Sequence, residues 1–321
     1  MRRHAYTSAA AAQIDRFVTS RRAADSLCDS SEEYLHLFDA FCAREFPDAD
    51  GLTQEMVDLW CVPRPTERAN SCVSRCQSVV ALVRFLRGRG ETDVVPPKLP
   101  RWQETGYVPH AFTDGELAEF FRLCDSYEAD SRMDEARRLR TIYTVPVLFR
   151  LLWSSGIRTT EARLLRRERV DLTEGTLMIV EGKGKSERLV ALHPSMLEIM
   201  RAYDTKMEEV MPGRAYFFPN EAGTCLTSDW VSSHFRKVWR QVSDERATPY
   251  MLRHQFCVTC INQLVGRGFE GLNDLEWVSK AMGHSSVDIT IQSYYHIVPA
   301  LAELLQERSG DRFDDIIPGV M

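Results

Sequence analysis

Residues 154–192 read SSGIRTTEARLLRRERVDLTEGTLMIVEGKGKSERLVAL, and the period of the apolar residues changes within them. Upstream, the spacing predicts a long apolar helix from about Met133 to Ser154. Gly156 is its natural stop, because glycine readily takes the left-handed conformation that ends a helix. Downstream, two β-prone runs, Thr176–Val180 and Arg188–Leu192, flank a centre of glycine and lysine. That pattern is a hairpin with a cationic tip. Arg158 therefore follows directly on a helix stop, and Lys183 sits at the hairpin tip. The centre lies between strands instead of opening a helix, so it does not read as a phosphate-cradling loop.

Helical patterns resume beyond the hairpin. One of them, TPYMLRHQFCVTCINQL (248–264), places Arg253 among aromatic and apolar neighbours. An arginine in that company either pairs with a carboxylate or awaits an anionic ligand. The segment QSYYHI (292–297), rich in hydroxyls, follows GHSS (283–286). Cys257 and Cys260 form a single C-x-x-C with no second pair to complete a zinc site, so both read as helix residues. The nine cysteines are an odd number without the spacing of a disulfide framework.

Upstream, the first hundred residues read as short amphipathic helices punctuated by proline and glycine. The last of these, TERANSCVSRCQSVVALVRFLRGRG (66–90), sets Cys72, Cys76, Val79, Val83 and Leu86 on one stripe. Arg68, Arg75, Arg87 and Arg89 flank that stripe and are candidates to lie against DNA phosphates. Next, DVVPPKLPRWQETGYVPHAFTDGE (93–116) has four prolines and little periodicity, which reads as a linker. Thr113 or Asp114 would cap the helix after it. The expected architecture is mainly α with a small β-hairpin or sheet. It comprises an N-terminal helical bundle over residues 1–96, a linker over 97–112, and a second domain with a C-terminal tail over 113–321.

The net charge of −6 looks wrong for a nucleic-acid binder, but the charge is unevenly placed. Residues 61–110 carry a net +4 and residues 131–240 a net +5, between acidic margins. Local field, not net charge, steers a polyanion, and arginine supplies most of this positive charge. No apolar run reaches the ~18–20 residues of a membrane span. The N-terminal residues lack the apolar core of a signal peptide, so a cytoplasmic location is expected.

Taken together, the order and spacing of these segments resemble the catalytic domain of the tyrosine recombinase (phage integrase) family over about residues 112–300. SSGIRTTEARLLRRERVDL is similar to the box of the first catalytic arginine, which falls on Arg158, with Glu161 as the acidic residue beside it. EGKGKSERLVAL resembles the family hairpin, whose catalytic lysine is Lys183 here. TPYMLRHQF resembles the second box, with Arg253 as the second arginine. MGHSSVDITIQSYYH resembles the closing box, with His284 followed by a tyrosine nucleophile. The family ending Tyr-x-His selects Tyr294 over its neighbour Tyr295. Two departures stand out. Tyr250 occupies the place of a histidine, so a hydrogen-bond donor with an ordinary pKa of ~10 replaces a proton acceptor. The stretch between Arg253 and His284 is also longer than usual, the excess lying in VGRGFEGLN (265–273).

The resemblance implies a site-specific DNA recombinase, an integrase or transposase of a mobile element. It would cleave and rejoin strands through a 3′-phosphotyrosine intermediate, without metal or other cofactor. Its partners would be double-stranded DNA and further copies of the chain, as a homotetramer on two DNA sites, with accessory DNA-bending proteins in some reactions. Neither a P-loop nor a carboxylate cluster for paired magnesium is present in the sequence. Two other readings use the same residues. One is a type IB topoisomerase-like enzyme that nicks and reseals one duplex; the other is a DNA-binding accessory protein whose site has decayed.

Overall fold

In the N-terminal unit, helices form where apolar residues recur at helical spacing. They are α1 (Ala11–Ala23), α2 (Asp29–Glu45), α3 (Gln54–Cys61) and α4 (Ala69–Arg87). The Thr53 side chain caps α3 by accepting from the Met56 N–H. Helix α4 is the central element, because the other three pack around it. Its stripe of Cys72, Cys76, Val79, Val83 and Leu86 is fully buried and shares one core with Ile14, Leu35, Phe38 and Met56. The computed structural model describes residues 4–24, 29–103, 109–180, 187–265 and 275–283. It divides into two units, one ending at Tyr107 and the other beginning at Val108.

Burial corrects one of the arginine assignments. Arg75 is not on a phosphate-facing margin: its side chain is only 4% exposed, and it grips Glu67. Its Nε and Nη2 donate to the two Glu67 carboxylate oxygens at 2.7 and 2.6 Å, and its Nη groups also reach the carbonyls of Trp60 and Val62. Because α4 is central, positions beside its apolar stripe are buried as well. Arg68, Arg87 and Arg89 remain exposed. Arg87 donates to the carbonyls of Asp93 and Val94, and Arg89 stacks on the Phe85 ring at 4.4 Å.

Arg75→Met is therefore expected to destabilise the N-terminal unit by about 3–5 kcal/mol, since it strands a mostly buried carboxylate. The hydrogen bonds from Arg75 hold the Glu67 carboxyl below the usual carboxylate range. A carboxyl depressed in the folded state stabilises above its unfolded pKa, and that contribution disappears as pH falls through the folded value. The cost of Arg75→Met should thus be largest near pH 7 and shrink below about pH 4. Chemical denaturation of both chains across pH measures it; a pH-independent difference would show that the ion pair is not its origin.

The second unit begins with α5 (Asp114–Asp125), capped at Thr113 by a reciprocal box with Glu116. Helix α6 (Glu135–Ser155) follows and is the spine of the unit, lying against α5, α8 (Pro194–Val210) and α10 (Pro249–Val265). A short α7 (Thr159–Arg163) leads through a single 3₁₀ turn at Arg167–Arg169 into β1 (Val170–Asp171), β2 (Thr176–Val180) and β3 (Glu187–Ala191). The strands form one antiparallel sheet in the order β1-β2-β3. Leu177, Ile179 and Val190 face the core, while Met178 and Leu189 face outward. The third strand, β1, has only two residues and carries no alternation to read. Helix α9 (Ser228–Trp239) contributes Phe235 and Trp239 to an aromatic cluster with Phe120 and Phe149. Helix α11 (Leu275–Met282) is the last described element. No helix among the described residues is long and apolar enough to cross a membrane.

Candidate active site

Helix α6 ends where the sequence places its stop. Gly156 lies at φ +64°, and its N–H closes the last turn on the Leu152 carbonyl at 3.2 Å. Ile157 is buried and anchors the turn, so the next residue, Arg158, opens α7 in an extended conformation. Glu161 accepts from the Arg158 backbone N–H at 2.7 Å and from Arg158 Nη1 at 2.8 Å. Arg158 Nη2 donates to the Gly283 carbonyl at 2.7 Å.

Arg253 reaches the same place from α10. It is 1% exposed. Its Nη1 donates to the Gly156 carbonyl at 2.7 Å and its Nη2 to the Met282 carbonyl at 2.6 Å. The two guanidinium groups therefore hold consecutive carbonyls, Met282 and Gly283, at the end of α11. A helix C-terminus carries partial negative charge, so cations there are stabilised. The arrangement brings together residues almost a hundred positions apart in the chain, and it does so one residue before His284 in sequence.

Glu161 has a second partner that sequence reasoning missed. Arg188 of β3 donates Nη1 and Nη2 to the two Glu161 oxygens at 3.0 and 2.7 Å. Burial pushes the Glu161 carboxyl up, but the hydrogen bonds from Arg188 and from the Arg158 backbone outweigh it, leaving the group below the usual carboxylate range. Arg188 shares the inward face of β3 with Val190 and stands opposite Ile179. A charged residue in register with buried ones requires a partner, and that alternation was the available signal.

Tyr250, at the start of α10, is 46% exposed, with its ring edge-on to His254 at 4.9 Å. His254 is a further residue absent from the sequence reading. Burial first, and then the adjacent Arg253 charge, push its imidazole below its ordinary value. Cys257 faces the core and Cys260 is partly exposed. Among the described residues, no three His, Cys, Asp or Glu side chains are grouped to hold a metal ion. Lys183, His284, Tyr294, Tyr295, most of the 265–273 stretch and the C-terminal tail lie outside the described residues.

Comparison with known proteins gives the same picture. The model of the phage integrase family matches residues 125–300, more than half of the chain. Among curated relatives, the tyrosine recombinase XerC of Chlorobaculum parvum is 29% identical over 244 residues, which is 71% of this chain and 69% of that protein. Other relatives are matched over about half of their length. Among solved structures, the fold is similar to XerH recombinase bound to palindromic difH substrate, with a TM-score of 0.63 at 16% identity, covering 92% of this chain and 94% of that one. It is also similar to a lambda integrase tetramer bound to a Holliday junction, with a TM-score of 0.59 at 15% identity, over 88% and 76% of the two chains. With the arginine boxes, the hairpin and the helical fold in family order, the chain belongs to the phage integrase family, the tyrosine recombinases, enzymes that cleave and rejoin DNA.

Proposed function

We propose that the chain is a site-specific DNA recombinase that works through a 3′-phosphotyrosine intermediate. The observation that carries this reading is the convergence of Arg158 and Arg253 on the adjacent carbonyls of Met282 and Gly283. Each guanidinium nitrogen of the Nη type bears two hydrogens, so an arginine can grip a carbonyl and still offer an N–H to a phosphate oxygen. Two such groups stabilise the charge that develops on the non-bridging oxygens of a phosphodiester under attack. The Tyr294 phenol gives up its proton to water as its oxygen bonds to phosphorus, and the bond to the 5′-oxygen breaks. Lys183 delivers the proton that the departing oxygen needs, and His284 adds a hydrogen bond to the phosphate. Tyr250, exposed at the start of α10, acts there as a hydrogen-bond donor. Resemblance to the family supplies the polarity of the linkage.

Double-stranded DNA is the substrate in this reading, and a homotetramer on two sites is the working assembly. The exposed Arg68, Arg87 and Arg89, in the helical domain we assign to residues 1–96, support phosphate contact there. The related lambda integrase was solved as a tetramer on a Holliday junction, which supports the assembly. Integration or transposition of a mobile element is the role we assign. The XerC relatives favour a second one, recombination at a fixed chromosomal site. Circular products carrying the flanking element point to the first, and resolution of tandem sites alone to the second.

The test of the chemistry is covalent capture. A pool of nicked duplexes of random sequence should yield a protein–DNA adduct stable to denaturation, mapped by mass spectrometry to Tyr294. Tyr294→Phe should abolish the adduct and leave DNA affinity within about twofold, because it deletes the nucleophilic oxygen and little else. An adduct that survives Tyr294→Phe and vanishes with Tyr295→Phe moves the nucleophile by one residue. No adduct from the unaltered chain would leave a decayed DNA-binding protein as the reading.

A further inference from the structure

Glu161 is 7% exposed and lies between two arginines of unequal exposure. The Arg188 side chain is 11% exposed and gives both Nη groups to the carboxylate, whereas Arg158 is 34% exposed and gives one Nη and its backbone N–H. The three side chains together carry one positive charge. We infer that Arg188 is a positioning residue for phosphate attack: by engaging Glu161, it keeps that carboxylate from neutralising Arg158. This inference rests on the recombinase reading above.

The physical case is competition for one carboxylate. A guanidinium and a carboxylate prefer a two-pronged pair, and a buried carboxylate takes whatever cation can supply it. With Arg188 in the bidentate place, Arg158 meets Glu161 through a single prong, and its other Nη points to the Gly283 carbonyl. Without Arg188, Glu161 would draw the whole Arg158 fork onto itself. Arg158 would then turn from the place where Arg253 also converges. The fold favours this division of labour. Arg188 is held in β3 opposite the buried Ile179, on the same face as Val190, so its guanidinium has a fixed approach to Glu161. Strand β3 also starts four residues after Lys183 in sequence, so the ion pair fastens the loop end of the β2–β3 ladder to the Arg158 turn.

The inference predicts a specific non-additivity, read on the nicked duplex that the unaltered chain captures most efficiently. Arg188→Met should slow single-turnover adduct formation about 30-fold while DNA affinity stays within about twofold. In a Glu161→Gln background, where no carboxylate competes for Arg158, adding Arg188→Met should slow the reaction less than about threefold. Arg188→Lys keeps a charge beside Glu161 but loses the two-pronged grip, so its rate should fall between those of the unaltered chain and Arg188→Met. Equal losses in the two backgrounds would make Arg188 merely structural and overturn the inference, as would a rate loss matched by an equal loss of DNA affinity. Should Arg188→Met fail to fold, the lysine variant decides. Equal losses from Arg188→Lys in the Glu161 and Glu161→Gln backgrounds, at unchanged DNA affinity, also overturn the inference. Absence of any adduct from the unaltered chain would overturn the recombinase reading and the inference together, whereas a normal adduct with equal losses removes the inference alone.

Discussion

Arg253→Lys should slow covalent adduct formation by about 10³-fold and also lower the thermal midpoint. Both effects come from one geometry. The Arg253 fork spans two carbonyls on different elements, Gly156 at the end of α6 and Met282 at the end of α11. An ammonium on a flexible stem is a point charge and cannot hold both in a fixed plane. One buried carbonyl loses its donor, at a cost of about 1–3 kcal/mol. In the recombinase reading the catalytic loss is separate, because an ammonium cannot offer a phosphate the forked donors of a guanidinium. Stopped adduct formation and denaturation midpoints, measured on the same preparation, separate the two terms. A lysine variant that cleaves at a near-normal rate would remove Arg253 from the site, whatever it does to stability.

The parts of the site that were legible in the sequence share one property: their signals are local. Gly156 announces a helix stop by its place after an apolar run, and Arg158 follows from it. The hairpin is visible because Thr176–Val180 is a short β-prone run between glycines, and only its second strand is displaced, to Glu187–Ala191. The stripe on α4 is likewise a matter of spacing. What stayed hidden depends on which side chain meets which across the fold. Arg75 and Arg87 sit on the same helix with similar neighbours, yet one is buried against Glu67 and the other is exposed. The +5 of residues 131–240 overstated the outward field for the same reason, since Arg140 and Arg214 are internal. Arg140 donates to the Pro219 carbonyl, and Arg214 pairs with Asp204 and Glu208. Counting charges along a chain cannot distinguish an arginine that holds the protein together from one that faces a ligand. At Glu161 exposure separates Arg158 from Arg188, whereas the buried Arg253 is distinguished only by its partners.

Gly156→Ala should cost more than Gly213→Ala, although both place an alanine at a left-handed residue of the second unit. Two penalties coincide at this residue. Its φ of +64° is in the left-handed region, where an L side chain costs about 1–2 kcal/mol. A Cβ there would also stand 2.3 Å from Phe256 Cδ1 and 2.9 Å from Met282 Sδ, well inside contact distance. Overpacking of that kind adds about 1–3 kcal/mol, so a total near 3 kcal/mol is expected. Gly213 supplies the control. Its φ is +66°, but nothing lies within 4 Å of the built Cβ, so Gly213→Ala should pay only the backbone penalty of about 1–2 kcal/mol. The difference between the two variants in urea denaturation then measures the contact alone. The consequence for chemistry follows from where the displaced atoms lie. Phe256 is on α10 three residues after Arg253, Met282 supplies one carbonyl to Arg253, and Gly156 itself supplies the other. Pushing these apart moves both anchors of one guanidinium at once, so adduct formation should fall further than stability alone explains. Equal destabilisation by the two alanines, with adduct formation unchanged, would show that the close approach of α6, α10 and α11 at Gly156 does not govern the site.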